Sequence, residues 1–78
     1  MKTDQDLIEL FQEAAAEIVG RTFEGITPNT EIGELGIDSV DLLEIFGFVE
    51  DELHIKLADA DLAEVTTLHD LGELIRRS

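Results

Sequence analysis

Ser39, His54 and His69 are the side chains whose types suggest nucleophilic or acid–base chemistry, and they stand among many carboxylates. A serine nucleophile needs a base within hydrogen-bond reach. The elbow that exposes one in hydrolases also needs glycine two residues before and two after it. Those positions hold Ile37 and Asp41. If a helix follows Ser39, His54 lies at its far end, roughly 22 Å away at ~1.5 Å per residue. The sequence does not fix the distance of His69, and both histidines read as ordinary surface or boundary residues. A calcium loop starting at Asp59 would require an oxygen ligand fifth and glycine sixth, where the chain has Ala63 and Glu64. Cysteine is absent, so there is neither a thiolate nucleophile nor a structural zinc set. The pattern offers no catalytic residue and no metal site.

What remains is LGIDSVDLLEI, residues 35–45, where Ser39 falls at the change from loop to helix. Read locally, its hydroxyl is an N-cap that accepts a bond from a first-turn N–H. The same place has a second property. A helix N-terminus presents unpaired N–H groups and positive dipole potential. A phosphate-linked group attached there is tolerated despite the surrounding acids.

Four helical segments position this junction. From Thr3 to Val19, Leu7, Phe11, Ala14 and Ile18 recur at helical spacing with Ile8, Ala15 and Val19 beside them, and Glu9, Glu13 and Glu17 opposite. Thr3 with Asp6 fits a capping box, Gly20 a stop, and Arg21 the negative end of the helix dipole. Residues 21–37 show no helical period and read as a long loop punctuated by Gly25, Pro28, Asn29, Gly33 and Gly36, pinned by Phe23, Ile26, Ile32, Leu35 and Ile37. Ser39 to Leu53 is the second helix. Its stripe of Leu42, Ile45, Phe46, Val49 and Leu53 faces the core. Val40, Leu43, Glu44, Gly47, Glu50 and Asp51 fall outside, with Val40 and Leu43 apolar on an acidic surface, a pattern that fits either scattered surface residues or a contact site. A short turn follows at Asp59 to Ala63. A last helix is capped by Thr66 or Thr67, with Asp70 completing a box, an apolar face of Leu68, Leu71, Leu74 and Ile75, and Arg76 and Arg77 at its C-terminal end. No segment alternates like a strand. The predicted fold is all-α, a small bundle of three main helices plus one short helix with a long loop between helices 1 and 2.

With 78 residues the chain is one domain, residues 1–78, with a thin core. Nineteen acidic residues against five basic ones give a net charge of −14. Such a surface repels nucleic acid and anionic membranes and attracts partners with basic patches. No basic residue lies between Arg21 and Lys56, so salt or magnesium is expected to raise the melting temperature. No apolar run has the roughly 20 residues of a membrane span, and MKTDQD lacks a signal-peptide core. These features predict a cytoplasmic monomer.

At residues 35–40 the chain resembles the acyl carrier protein family, whose members share a Leu-Gly-x-Asp-Ser-Leu-like element followed by an acidic helix; here it is Leu35-Gly36-Ile37-Asp38-Ser39-Val40, then DLLEIFGFVEDEL. The likeness runs on through HIKLADADLAEVTTLHDLGELI and spans the chain. It implies a non-catalytic carrier in which Ser39 receives 4'-phosphopantetheine from coenzyme A through a separate phosphopantetheinyl transferase. The thiol absent from the chain then comes with the cofactor, and it holds acyl groups of fatty-acid, polyketide or related biosynthesis. Asp38, Asp41, Glu44, Glu50 and Asp51 match acidic positions that meet Lys and Arg of partner enzymes (ketosynthase, acyltransferase, reductase or ligase), and Val40 matches an apolar contact; Leu43 and Gly47 share that face. Phe46, Val49, Leu53, Leu57, Leu62, Val65 and Leu71 match the positions that pack the bundle and shelter an acyl chain. Gly47 replaces a commonly larger apolar residue, Val40 a commoner Leu, and Phe46 and Phe48 smaller groups. These departures point to a specialised acyl pathway as readily as to primary fatty-acid synthesis. Two other readings share the pattern: an aminoacyl or peptidyl carrier, and a cofactor-free acidic adaptor for a basic partner.

Overall fold

Leu7, Ile8, Phe11, Ala14 and Ala15 fall on one face at helical spacing, and in the computed structural model, which describes residues 4–77, all five are buried on helix α1 (Asp4–Ile18). Glu9, Glu13 and Glu17 point to solvent. Asp4 and Asp6 lie in the first turn, where the helix dipole favours them. The expected capping box falls on Thr3, outside the described residues. The helix ends as its sequence predicts: the N–H groups of Val19 and Gly20 both donate to the Ala15 carbonyl, at 2.8 and 3.1 Å, and Gly20 adopts φ 79°. Arg21 does more than face the dipole, since its guanidinium stacks 4.6 Å above the Phe23 ring.

The long connection is tied down at both ends. Phe23 N–H donates to Gln12 Oε1 at 2.9 Å, and Gln12 Nε2 donates back to the Phe23 carbonyl. Phe23 and Ile32 are buried, and Ile26, Leu35 and Ile37 pack against the core half-buried. Further on, the loop pairs with the start of the last helix: Ile32 N–H donates to the Thr66 carbonyl at 2.9 Å, Leu68 N–H to Thr30 at 3.3 Å and His69 N–H to Pro28 at 2.8 Å. These flank an isolated antiparallel bridge between Glu31 and Thr67. The expectation of an irregular segment over residues 21–37 therefore needs correcting at its end, where Ile32–Leu35 form a 3-10 turn. Four residues are too few to show a period, and the bridge joins positions far apart in sequence.

α2 (Ser39–Leu53) begins and ends where expected. Ile45, Phe46 and Val49 are buried, while Leu42 and Leu53, at the edges of the stripe, are half-buried. His54 closes the helix in the left-handed region at φ 56°. α3 (Asp59–Leu62) is a single turn, one residue shorter than expected. α4 (Leu68–Arg77) buries Leu68, Leu71, Gly72, Leu74 and Ile75. Its predicted capping box is reciprocal: Thr67 Oγ1 accepts from Asp70 N–H at 3.1 Å, and Asp70 Oδ2 accepts from the N–H groups of Thr67 and Thr66, each at 3.1 Å. Those donors hold the Asp70 carboxyl below its ordinary range.

α1 packs against both α2 and α4 and forms the centre of the bundle. α4 comes close to α1 at the buried Gly72, where an added Cβ would lie in contact with Asp4 Oδ1 and Leu7 Cδ2 at 3.4 Å each. Asp4 also bridges the two helices, with Arg76 Nη2 at 3.6 Å and His69 Nδ1 at 3.5 Å. Arg76 thus answers a carboxylate of α1 as well as its own helix dipole. The fold is all-α, and the described residues form no strand. No described helix is long and apolar enough to cross a membrane.

Candidate functional site

The site is the entrance to α2 and the face that runs from it. Gly36 turns the chain out of the 3-10 segment at φ 73°, a conformation that suits glycine and strains other residues. Asp38 follows with φ −57° and ψ 144°, and its Oδ1 accepts from Val40 N–H at 3.0 Å while its carbonyl takes Leu42 N–H at 2.8 Å. Asp38 is therefore the N-cap. The local reading of Ser39 as the cap is corrected: Ser39 is the first helical residue, and the carboxylate before it does that work. Both types cap equally well, and the backbone angles decide between them.

Two consequences follow for Ser39. Its residue is exposed, and no hydrogen bond engages its hydroxyl among the described residues. The N–H groups of Ser39 and Asp41 also find no acceptor there. α4 differs, since the loop carbonyls and Thr67 occupy the N–H groups of its first three residues. The start of α2 is thus open to an anionic group, with a free oxygen beside unpaired donors.

Neither histidine meets this oxygen. His54 ends α2. The partners of His69 are Asp4 and Glu73, the latter 3.4 Å from Nε2. Beyond Ser39, α2 presents an acidic face with an apolar centre. Asp38, Glu44 and Asp51 are exposed, and Asp41, Gly47 and Glu50 are half-buried. Val40 and Leu43 are 63% and 61% exposed. The ion pairs of the described residues gather at Asp4, His69, Glu73 and Arg76. No cation of the described chain neutralises the acids of α2. Glu50 is partly committed to the fold: its Oε2 accepts from Leu57 N–H at 2.6 Å and holds the chain that leaves the helix. Upstream, Glu31 and Glu34 share a hydrogen bond, which with their like charge raises the Glu31 carboxyl above its ordinary range.

The apolar positions separate into two groups. Phe46, Val49, Leu57 and Leu71 are buried, and Leu53, Leu62 and Val65 are half-buried around them. The described residues enclose no cavity. Sequence reasoning missed the Gln12–Phe23 clamp and the Glu50–Leu57 anchor. The one available signal was an uncharged Gln beside buried Phe11, in a helix whose other polar residues are mostly acidic.

The chain can be compared with known proteins on this geometry. A family model described as "Phosphopantetheine attachment site" matches residues 9–75. An acyl carrier protein of Saccharopolyspora erythraea is 31% identical over 71 residues, covering 90% of this chain and 75% of that protein. A chloroplastic acyl carrier protein of Brassica napus is 35% identical over 52 residues, 67% of this chain, and the match spans 39% of that protein's length. The crystal structure of an acyl carrier protein from Thermotoga maritima superposes with a TM-score of 0.83 at 28% identity, over 95% of this chain and 87% of that one. With the attachment-site match running through both the open entrance of α2 and the bundle that supports it, the chain belongs to the acyl carrier protein family, whose prosthetic group is covalent 4'-phosphopantetheine.

Proposed function

We propose that Ser39 Oγ is the attachment point of the phosphopantetheine arm, and that the chain carries acyl intermediates of fatty-acid, polyketide or related biosynthesis between enzymes without catalysing a reaction itself. The observation that supports this most directly is the exposed Ser39 hydroxyl, released from capping by Asp38 and set beside the unpaired N–H groups of Ser39 and Asp41. These donors suit a phosphodiester at that oxygen, so the residues fit the group. When bound, the arm supplies the terminal thiol on which acyl groups travel as thioesters.

The chain's own residues have three tasks in this reading. Asp38 fixes the first turn of α2 and so holds the Ser39 oxygen in place. Asp38, Asp41, Glu44, Glu50 and Asp51 draw in enzymes with basic patches, and Val40 and Leu43 supply the apolar centre of the contact. Phe46, Val49, Leu53, Leu57, Leu62, Val65 and Leu71 shelter the acyl chain. Because these side chains enclose no cavity, such a guest enters by moving the half-buried Leu53, Leu62 and Val65 aside. The partners are a phosphopantetheinyl transferase and acyl-handling enzymes of the cytoplasm.

Incubation with coenzyme A, magnesium and a broad-specificity transferase tests the reading. The intact mass rises by one phosphopantetheine arm, peptide mapping puts it on Ser39, and Ser39→Ala stays unmodified. A wild-type protein that keeps its mass would favour a cofactor-free adaptor.

A further inference from the structure

α2 carries a glycine in its middle that nothing inside the molecule requires. Gly47 has no positive φ, and a Cβ built on it meets no atom within 4 Å. Gly72 is the contrast, since a Cβ there would lie in contact with Asp4 and Leu7. Glycine in a helix interior is disfavoured relative to every residue except proline. Position 47 therefore weakens α2 without improving the packing of the chain.

Its surroundings supply a reason. At roughly 100° per residue, Gly47 lies within about 20° of Val40 around the helix axis. Its neighbours one turn away are Leu43 and Glu44 on one side and Glu50 and Asp51 on the other. The missing side chain leaves a notch. Exposed Val40 and Leu43 form its apolar wall, exposed Glu44 and Asp51 its acidic rim, and no cation of the described chain answers that rim. Packed helices meet by placing a side chain of one into a gap among four residues of the other, and a glycine at the centre deepens that gap.

We propose that Gly47 receives a large apolar side chain (Leu, Met or Phe), flanked by Lys or Arg, from the enzyme that loads Ser39. The proposal rests on the carrier reading above and names the residue that selects the partner. The occupant follows from distance and charge. Gly47 lies about 12 Å along the axis from Ser39, and a standard protein interface covers about 800 Å² of each partner. An enzyme docked on this face to reach the Ser39 oxygen therefore covers position 47 as well. The apolar wall takes the tip of its side chain, and the acidic rim takes its cationic neighbours. Gly47 is a positioning and specificity residue, not a catalytic one.

The test compares wild type, Gly47→Ala and Gly47→Met as apo-proteins, with coenzyme A, magnesium and the phosphopantetheinyl transferase of the protein's own source organism. Both variants should melt higher, Gly47→Ala by about 4–8 °C, because the added Cβ lies in open space. Gly47→Met should be loaded with KM raised about tenfold and kcat unchanged, as expected when binding common to ground and transition states is lost. Gly47→Ala should fall between. Variants that are more stable and are loaded with unchanged or lower KM would overturn the notch while leaving the carrier reading intact. A wild-type protein that is not loaded at all would overturn both.

Discussion

Replacing Asp38 and Ser39 by alanine, one at a time, separates the residue that supports α2 from the residue that is free to react. Asp38 Oδ1 accepts the Val40 N–H at 3.0 Å, and losing such a cap costs about 1 kcal/mol. For a domain of this size, that lowers the melting temperature by about 4–8 °C. The Ser39 hydroxyl makes no hydrogen bond among the described residues, and Ser39 already lies within the helix, where alanine is the better helix former by a few tenths of a kcal/mol. Ser39→Ala should therefore melt within about 2 °C of wild type. Asp38→Asn keeps an acceptor of equal capping strength while removing the charge, so it should recover most of what Asp38→Ala loses. Thermal unfolding followed by far-UV circular dichroism, at low and at high salt, reads all three variants. A Ser39→Ala protein destabilised as much as Asp38→Ala would refute the reasoning. It would show that the hydroxyl is engaged in holding the helix, and the claim that it is available for modification would lose its support.

Three further outcomes are expected. The Asp70 carboxyl is held down chiefly by the backbone N–H groups of Thr67 and Thr66. Its contribution to stability is therefore present above the unfolded carboxylate pKa and disappears as pH falls through the folded value; Asp70→Asn should flatten the acid side of the stability profile. Glu31 has the opposite sign, being raised by its bond with Glu34 and by that group's charge, so its favourable contribution is confined to acid and is lost as pH rises through its folded value. Glu34→Gln should accordingly raise the melting temperature near neutral pH, and an unchanged value would contradict the pairing. Finally, His54 occupies the left-handed region at φ 56°, which is costly for a residue with a Cβ. His54→Gly should stabilise the protein by about 1 kcal/mol in chemical denaturation, and an unchanged or lower stability would contradict the strain.

The parts of the molecule written in local pattern could be read without coordinates. α2 matches its expected limits because glycines and Asp38 precede it and no proline interrupts it. The Thr67–Asp70 box was visible because its two halves are three residues apart. The exposure of Val40 and Leu43 followed from the stripe on the opposite side of the same helix. Pairings across distance were not readable. Gln12 meets Phe23 across eleven positions, Glu50 meets Leu57 across seven, and Glu31 bridges to Thr67. Each depends on where the loop lands once the helices have packed. At the entrance to α2, the sequence put Ser39 at the change from loop to helix but assigned it the neighbouring residue's capping duty. Asp and Ser are equivalent caps on chemical grounds, and only the φ and ψ of Asp38 distinguish them.

The central place of α1 has a consequence for how the chain acquires its structure. Leu7, Phe11 and Ala14 are fully buried, yet the covering that Leu7 needs comes partly from α4, at the other end of the sequence. On the ribosome, α1 is therefore exported long before α4 exists, and the part of its apolar side that α4 covers stays open, even after α2 has emerged, while some fifty residues are translated between the end of α1 and the start of α4. Closure must wait until Leu71 and Gly72 have emerged. A nascent chain stalled short of α4 would present a sticky surface to the chaperones around it.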